Sequence, residues 1–358
     1  MKLLDWYIIR KFLGTFFFAI SLIIVIVIVF DVSEKIDDFI QKGAPLDEII
    51  FVYYFNFIPY FVNLFSPLFT FIAVIFFTSK MASNTEIVAI ISSGVSFKRF
   101  LRPFFVSATV LCILSFILSN FLIPETNKNR IAFEIAYIRN IRKQSDQNIH
   151  RQISPGVFVS VESFNSEFNQ GFRFSMEKLD KGQLKFRLAS DAIHWDSIYN
   201  RWKLINYSYR EIDGLNEKLV LGAQLDTVKS FTYKDFYKKN EFTEMMNYFE
   251  LNEFIRQEKT KGSGVYQFYE VEKYKRFAMP FANIILTLIA VAISSRKVRG
   301  GIGMHIALGF ALSFTYILFM QISSTFATNG SVPAIIAVWI PNIIYAVIGL
   351  VLLRRAPK

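Results

Sequence analysis

Six apolar runs decide what this chain can become: Phe12–Phe30, Ile49–Ser79, Pro103–Pro124, Phe277–Ser294, Ile302–Ala327 and Pro333–Leu353. A hydrocarbon layer of about 30 Å takes roughly 20 helical residues to cross. Each run is long enough, and none contains Asp, Glu, Lys or Arg. The first run is no cleavable signal peptide, because it is too long, ends at Asp31 and lacks a small-residue cleavage site. The sequence therefore predicts an α+β membrane protein. Residues 1–124 hold three transmembrane helices, 125–275 an inserted domain, and 276–358 three more helices.

Orientation follows from the basic residues of the short segments. Lys2, Arg10 and Lys11 precede the first span, and Lys80, Lys98, Arg99 and Arg102 separate the second from the third. Arg296, Lys297 and Arg299 lie between the fourth and fifth, and Arg354, Arg355 and Lys358 close the chain. Only Asp5 and Glu86 oppose them, whereas Asp31, Glu34, Asp37, Asp38, Asp47 and Glu48 crowd the segment after the first span. The expectation is cytoplasmic termini and an external inserted domain. This distribution accounts for the net charge of +11 without nucleic acid. Cys112 is the only cysteine and sits inside a span, so no disulfide forms.

The inserted domain alternates with period two. Val157, Val159 and Val161 interleave with Phe158, Ser160 and Glu162; Phe172, Phe174 and Met176 interleave with Arg173, Ser175 and Glu177. Leu184, Phe186 and Leu188 continue the pattern, as does RWKLINYSYR at 201–210 after a turn. Such strands predict an antiparallel sheet with one apolar face. That face is either the core of an ordinary sandwich or an open groove for an apolar ligand. Thr126–Arg142 and Thr243–Glu258 read as helical stems.

Catalytic chemistry is missing. No GxxxxGK[ST] phosphate loop occurs. His150, His194 and His305 lack metal-ligand spacing, so neither a metal nor another cofactor is expected. His194, beside Trp195, reads as a sheet-surface residue. The central thirds of the spans hold no Asp, Glu, Lys or Arg to serve as an ion relay, which argues against an ion-driven carrier. Asn56, Asn63, Asn283, Gln321 and Asn342, with Pro59, Pro67, Pro280 and Pro341, serve helix packing and kinks.

One polar segment stands apart. Between the second and third spans the chain reads NTEIVAIISSGVSFKRF from Asn84 to Phe100. Ser83 and Glu86 have capping-box spacing, Ile87, Ile90 and Ile91 follow at helical spacing, and Gly94 supplies a stop. About three turns of amphipathic helix are expected. The helix either seats in a partner or lies on the membrane surface, with Lys98, Arg99 and Arg102 on anionic headgroups.

That segment, extended to NTEIVAIISSGVSFKRFLRPF, resembles the signature of the lipopolysaccharide-export permeases LptF/LptG. YQFYEVEKYKRFAMPFANIILTLIAVAIS at the fourth span and VPAIIAVWIPNIIYAVIGLVLLRR at the sixth are similar too, and the resemblance covers essentially the whole chain. The opening LLDWYIIRKF, the compact length and the YQ…RFAMPFA stretch look closer to LptG than to LptF.

The resemblance implies a non-catalytic permease subunit in the inner membrane of a Gram-negative bacterium. It would pair with a paralogous permease on an LptB-like ATPase dimer, take lipopolysaccharide from the outer leaflet, and pass it to an LptC/LptA-like periplasmic bridge through a jelly-roll-like β groove. It makes residues 84–93 a coupling helix, with Glu86, Ile87, Ile90, Ile91 and Gly94 facing the ATPase. It places lipid phosphates near Lys35, Lys42, Lys128 and Arg130, although Glu34 and Glu134 depart from the family's basic pattern; solvated loop lysines are the plainer reading. The first and fifth spans would line the lipid cavity, with Phe310, Tyr316 and Ile317 on its wall or simply packed against lipid. Val159, Phe172, Phe174 and Phe186 would line the β groove. An ion-driven transporter or a membrane-anchored scaffold with a binding domain are the alternatives.

Overall fold

The computed structural model describes residues 3–138, 146–165, 168–214, 216–227, 231–236, 243–262, 266–295 and 301–355. Lys2, Arg296, Lys297, Arg299 and Lys358, used above for orientation, and the stem's end at Arg142 lie outside the described residues. Two compact units emerge. Met1–Ile40, Pro45–Arg130 and Gln267–Lys358 form one; Gln41–Ala44 and Ile131–Tyr266 form the other.

The helices run in chain order as α1 (Leu3–Gln41), α2 (Phe55–Ser83, entered through a π-helical stretch Glu48–Tyr54), α3 (Glu86–Ser92), α4 (Phe97–Ile117) and α5 (Ile123–Tyr137). A π-helical turn, Leu118–Leu122, joins α4 to α5. After the strands come α6 (Tyr248–Lys261), α7 (Tyr266–Ser294), α8 (Gly301–Thr328) and α9 (Ala334–Arg354). Six stretches are long and apolar enough to span a membrane: Leu3–Gln41, Glu48–Ser83, Phe97–Tyr137, Tyr266–Ser294, Gly303–Thr328 and Ala334–Arg354. Six spans and an antiparallel sheet between them match the α+β membrane class.

The spans are buried to different degrees. α1 buries only a stripe, Ile8, Phe12, Phe16 and Ile20 at four-residue intervals, while Phe18, Val25, Val29 and Phe30 stay exposed. In its most apolar stretch 22% is buried, and in α8 28%, against 61% in α7. α1 and α8 therefore present apolar faces that something outside this chain must cover, and α7 is the bundle's inner helix.

Polar side chains fasten the bundle. Ser66 and Thr70 of α2 donate to the Asn283 side-chain carbonyl at 3.0 and 2.9 Å. Asn63 bridges Ser115 and Ser119. Asn342 donates to the Ala278 carbonyl at 2.8 Å and accepts from the Tyr316 hydroxyl at 2.9 Å, so one amide ties α9 to α7 and α8. Gly309 packs α8 close to α2, because a Cβ there would lie 2.8 Å from the Phe71 ring. Replacing Asn342 with leucine removes both bonds at a fully buried site and should cost about 1–3 kcal/mol; detergent thermal melts of the whole chain would show the loss.

The other unit is built on six strands: β1 (Asp146–Ser154), β2 (Val157–Asn165), β3 (Gln170–Asp180), β4 (Gln183–Asp196), β5 (Arg201–Asp213) and β6 (Asn216–Thr227). They pair antiparallel in sequence order, an up-and-down meander. A full jelly roll instead has two Greek keys, and none occurs among the described strands. The β4–β5 turn is fixed by Asp196, which accepts from the Ile198 and Tyr199 amides. The Lys203 ammonium, 2.9 Å away, and the Tyr199 amide hold that carboxyl below the usual range.

A crease crosses the sheet. The paired rows pass through Asn148, Glu162, Arg173, Asp191 and Asn206, and at this row the inward face changes parity. Asn148, Arg173 and Asn206 take left-handed φ values of 55°, 50° and 50° in alternate strands. Arg173 pairs with Glu162 at 2.7 Å and Asn206 donates to Asp191 at 3.0 Å along the same row. Left-handed backbone turns the next side chain over, so strict alternation fails here. Gly171 replaces Phe172 on the core face, where a Cβ would already touch Val161 at 2.9 Å and Ile193 at 3.0 Å.

The second stem helix starts later than expected. α6 opens at Tyr248 rather than Thr243, because Asn247 and Glu250 make a reciprocal capping box with bonds of 2.8–3.0 Å. His194 is exposed on the sheet as expected.

Candidate functional site

The segment from Ser83 to Arg102 forms a helix, shorter and differently capped than its sequence indicates. α3 has seven residues. Thr85 precedes it at φ 62°, a left-handed entry that turns Ser83 away from the helix N-terminus. Ser83 bonds back to the Lys80 carbonyl at 2.9 Å, so the expected Ser83–Glu86 capping box does not form. Glu86 instead accepts from the Asn84 amide at 3.1 Å and from the Tyr7 hydroxyl at 3.5 Å. Gly94 adopts φ 85°, as a helix stop requires.

The apolar residues of α3 face its own bundle. Ile87 is 2% exposed, and Ile90 and Ile91 pack partly against the same core. The outward face is Val88, which is 63% exposed, with Ala89 and Ser92. The isoleucines therefore anchor the helix, and the smaller residues form its free surface.

A second link joins this segment to α1. Ser96 caps α4, accepting from the Arg99 amide. The Arg99 guanidinium then meets Asp5 in a bidentate pair of 2.7 and 2.6 Å. Asp5 is 5% exposed. Two parallel bonds fix orientation as well as distance, so the α3–α4 segment is pinned to the first span at Tyr7 and Asp5.

At the far end of α1, Lys35 is enclosed. Its ammonium lies 2.6 Å from Asp31, one helical turn earlier, and donates to the Tyr53 hydroxyl. Tyr54 donates to the other Asp31 oxygen at 3.1 Å. Tyr53, Tyr54, Phe39 and Phe57 are buried around the pair. Lys128 pairs with Glu125 at 3.0 Å, and the Arg130 guanidinium stacks 5.2 Å from the Tyr60 ring centroid. Lys42 is exposed and belongs to the other unit.

The inner face of the sheet is half covered by its own chain. Phe231 and Phe236, the latter in a 3₁₀ turn (Tyr233–Phe236), lie over Phe164, Phe174 and Trp202 with ring centroids 4.9–6.0 Å apart. Trp202 donates its indole N–H to the Phe231 carbonyl at 3.0 Å. Val159 and Phe174 are thus sealed at 1% and 2% exposure. Phe172, carried over by the crease, is 46% exposed on the opposite face. Of the four groove candidates only Phe186 lies on the open part, with Tyr207 and Tyr209. A cleft of about 630 Å³ lies beside it, lined by Lys178, Lys185, Glu211 and Lys218 among others.

The sequence model of the lipopolysaccharide export system permease LptF/LptG matches residues 6–355, essentially the whole chain. The chain belongs to the LptF/LptG family. It is a multi-pass inner-membrane permease subunit of lipopolysaccharide export, and such permeases are not themselves catalytic. No curated protein sequence matches the chain.

The spans of this LptF/LptG permease separate its three cavity candidates. Phe310 and Ile317 are 49% and 40% exposed on α8, whereas Tyr316 is fully buried against Tyr345 and Asn342. Tyr316 is a packing residue in this arrangement. Asp5 and Asp31 carry only an orientation signal in the sequence, and Tyr53 and Tyr54 carry none. The Asp31–Lys35 spacing of four on a helix is a visible signal for an ion pair. Asp5 and Arg99, 94 positions apart, give none.

Proposed function

We propose that this permease is the passive membrane conduit of an ATP-driven lipopolysaccharide extractor. The observation that carries the proposal is the α3–α4 segment, a helix anchored by Ile87 with Val88, Ala89 and Ser92 outward, tied to α1 through Asp5–Arg99. A surface that must receive force needs such anchoring, because a loose loop would absorb the displacement. α3 docks on an LptB-like ATPase dimer, the termini are cytoplasmic, and the β domain is periplasmic. The uncovered faces of α1 and α8 meet lipid acyl chains and a paralogous permease. Lipopolysaccharide then reaches the open part of the sheet at Phe186, Tyr207 and Tyr209 and continues to an LptC/LptA-like bridge.

Energetics favours this division. Each acyl CH₂ is worth about 0.8 kcal/mol in an apolar environment, so a multi-chain lipid must pass from one apolar surface to another. The energy has to enter from outside the conduit. In complexes reconstituted in vesicles, Glu86→Lys should leave assembly intact and lower export per ATP hydrolysed roughly tenfold, within the range of a coupling free energy of about 1–3 kcal/mol. Unchanged export per ATP would remove α3 from the coupling path.

A further inference from the structure

All the pairings of the described strands omit the same row. β1–β2 steps from Gln147↔Ser163 to Ile149↔Val161, and β2–β3 from Ser163↔Phe172 to Val161↔Phe174. β3–β4 steps from Phe172↔Ala192 to Phe174↔Ser190, β4–β5 from Ala192↔Ile205 to Ser190↔Tyr207, and β5–β6 from Ile205↔Gln224 to Tyr207↔Gly222. An ordinary irregularity affects one pair of strands, as between Gln152 and Ser154 or between Lys178 and Leu179. A row missing from every pairing leaves two plates of regular ladder. The first plate ends at the turns after Asn165 and Asp196, and the second at the turns after Ser154, Asp180 and Asp213.

The bonds that follow the row are weak ones. Arg173–Glu162 and Asn206–Asp191 are both exposed, and exposed pairs add little to stability. Asparagine tolerates the left-handed region, but Arg173 holds a conformation that is costly for most residues other than Gly, Asn and Asp. The row therefore stores strain that a change of angle can relieve. The covering segment is fastened to one plate and rests on the other. Phe236 packs on Phe164 and Trp202, and the Phe231 carbonyl accepts from the Trp202 indole, all within reach of the first plate. Phe174 belongs to the second plate and lies against the Phe231 ring, with centroids 6.0 Å apart and planes at 20°. Widening the angle between the plates lifts Phe174 off Phe231 and leaves the Trp202 bond in place.

We infer that this row is a hinge: the two plates turn against each other, and the sealed apolar strip at Val159 and Phe174 opens and closes with them. Arg173–Glu162 and Asn206–Asp191 are its latch. The inference stands on the sheet alone and goes beyond the export-permease reading, which a rigid sheet would leave untouched. In β4 the second plate runs from Gln183 to Ser190, about 26 Å of strand. A flex of about 20°, the size of the twist between neighbouring strands, carries its far turn through about 9 Å.

The test is double electron–electron resonance on the whole chain in lipid nanodiscs, in a Cys112→Ala background. Spin labels replacing Gln183 and Ile198, exposed at opposite ends of the sheet, read across the row. Labels replacing His150 and Leu221 stand at the two ends of one paired row inside the second plate, and both positions are exposed. The first distance should spread over about 5 Å more than the second. Glu162→Ala with Asp191→Ala removes both bridges from exposed positions; it should widen the first spread further and leave the second unchanged. Equal spreads for the two pairs with the row unsubstituted would overturn the hinge. A first spread that ignores the double variant would overturn the latch, and widening of both pairs together would mean general loosening and overturn it too. The first comparison alters no residue of the row, so it decides the hinge even if the double variant fails to fold.

Discussion

Arg99→Glu is expected to stop lipid export while the complex continues to hydrolyse ATP. The substitution places two carboxylates where a bidentate pair now joins α4 to α1 at 2.6 and 2.7 Å. Asp5 is buried and cannot turn freely into solvent, so repulsion separates the helices at the point where α3 is attached. A drop of at least roughly tenfold in export per ATP is predicted, in line with breaking a buried pair on one side. The reciprocal change Asp5→Arg with Arg99→Glu should recover much of the loss. Export and phosphate release measured on the same vesicles distinguish this from simple misassembly, which would lower both. Recovery in the double variant is the decisive arm, because general destabilisation would add rather than cancel.

The second large effect belongs to the sheet. Trp202→Ala removes the fully buried indole at the centre of Trp195, Phe231 and Phe236, together with its bond to the Phe231 carbonyl. A buried aromatic cut to alanine costs about 3–5 kcal/mol. For a unit of this size that lowers its melting by roughly 10 °C or more. Near-ultraviolet circular dichroism of the whole chain would follow this, because Trp195 and Trp202 lie within 5.1 Å of each other. Trp202→Phe, which keeps most of the ring area, should lose about half as much. An unshifted transition in Trp202→Ala would mean that the aromatic segment at Phe231 does not close this end of the sheet.

The spans were plain in the sequence because twenty uncharged apolar residues permit little else. Alternation made the strands visible for the same kind of reason, since one face had to be buried. Phe172 shows where that logic ends. Period two assumes extended backbone throughout, and a row of left-handed residues carries no hydrophobic signature. Arg173 looks like any outward-facing polar residue until its φ is known. Ser83 and Glu86 show a similar limit, because their spacing fits a capping box that the left-handed Thr85 prevents, whereas Asn247 and Glu250 form one. The family pointed to Lys35, but its carboxylate and tyrosine neighbours required the register of the π-helical turn. Asp5 and Arg99 required the bundle itself.

Export by the purified permease pair, with and without its ATPase, tests the central claim most directly. Vesicles carrying lipopolysaccharide and a β-bridge acceptor outside should show transfer only when ATPase and ATP are both present, and crosslinks from Phe186 to the lipid should appear under the same conditions. Transfer at the same rate without the ATPase, in an ion gradient or none, would contradict the account.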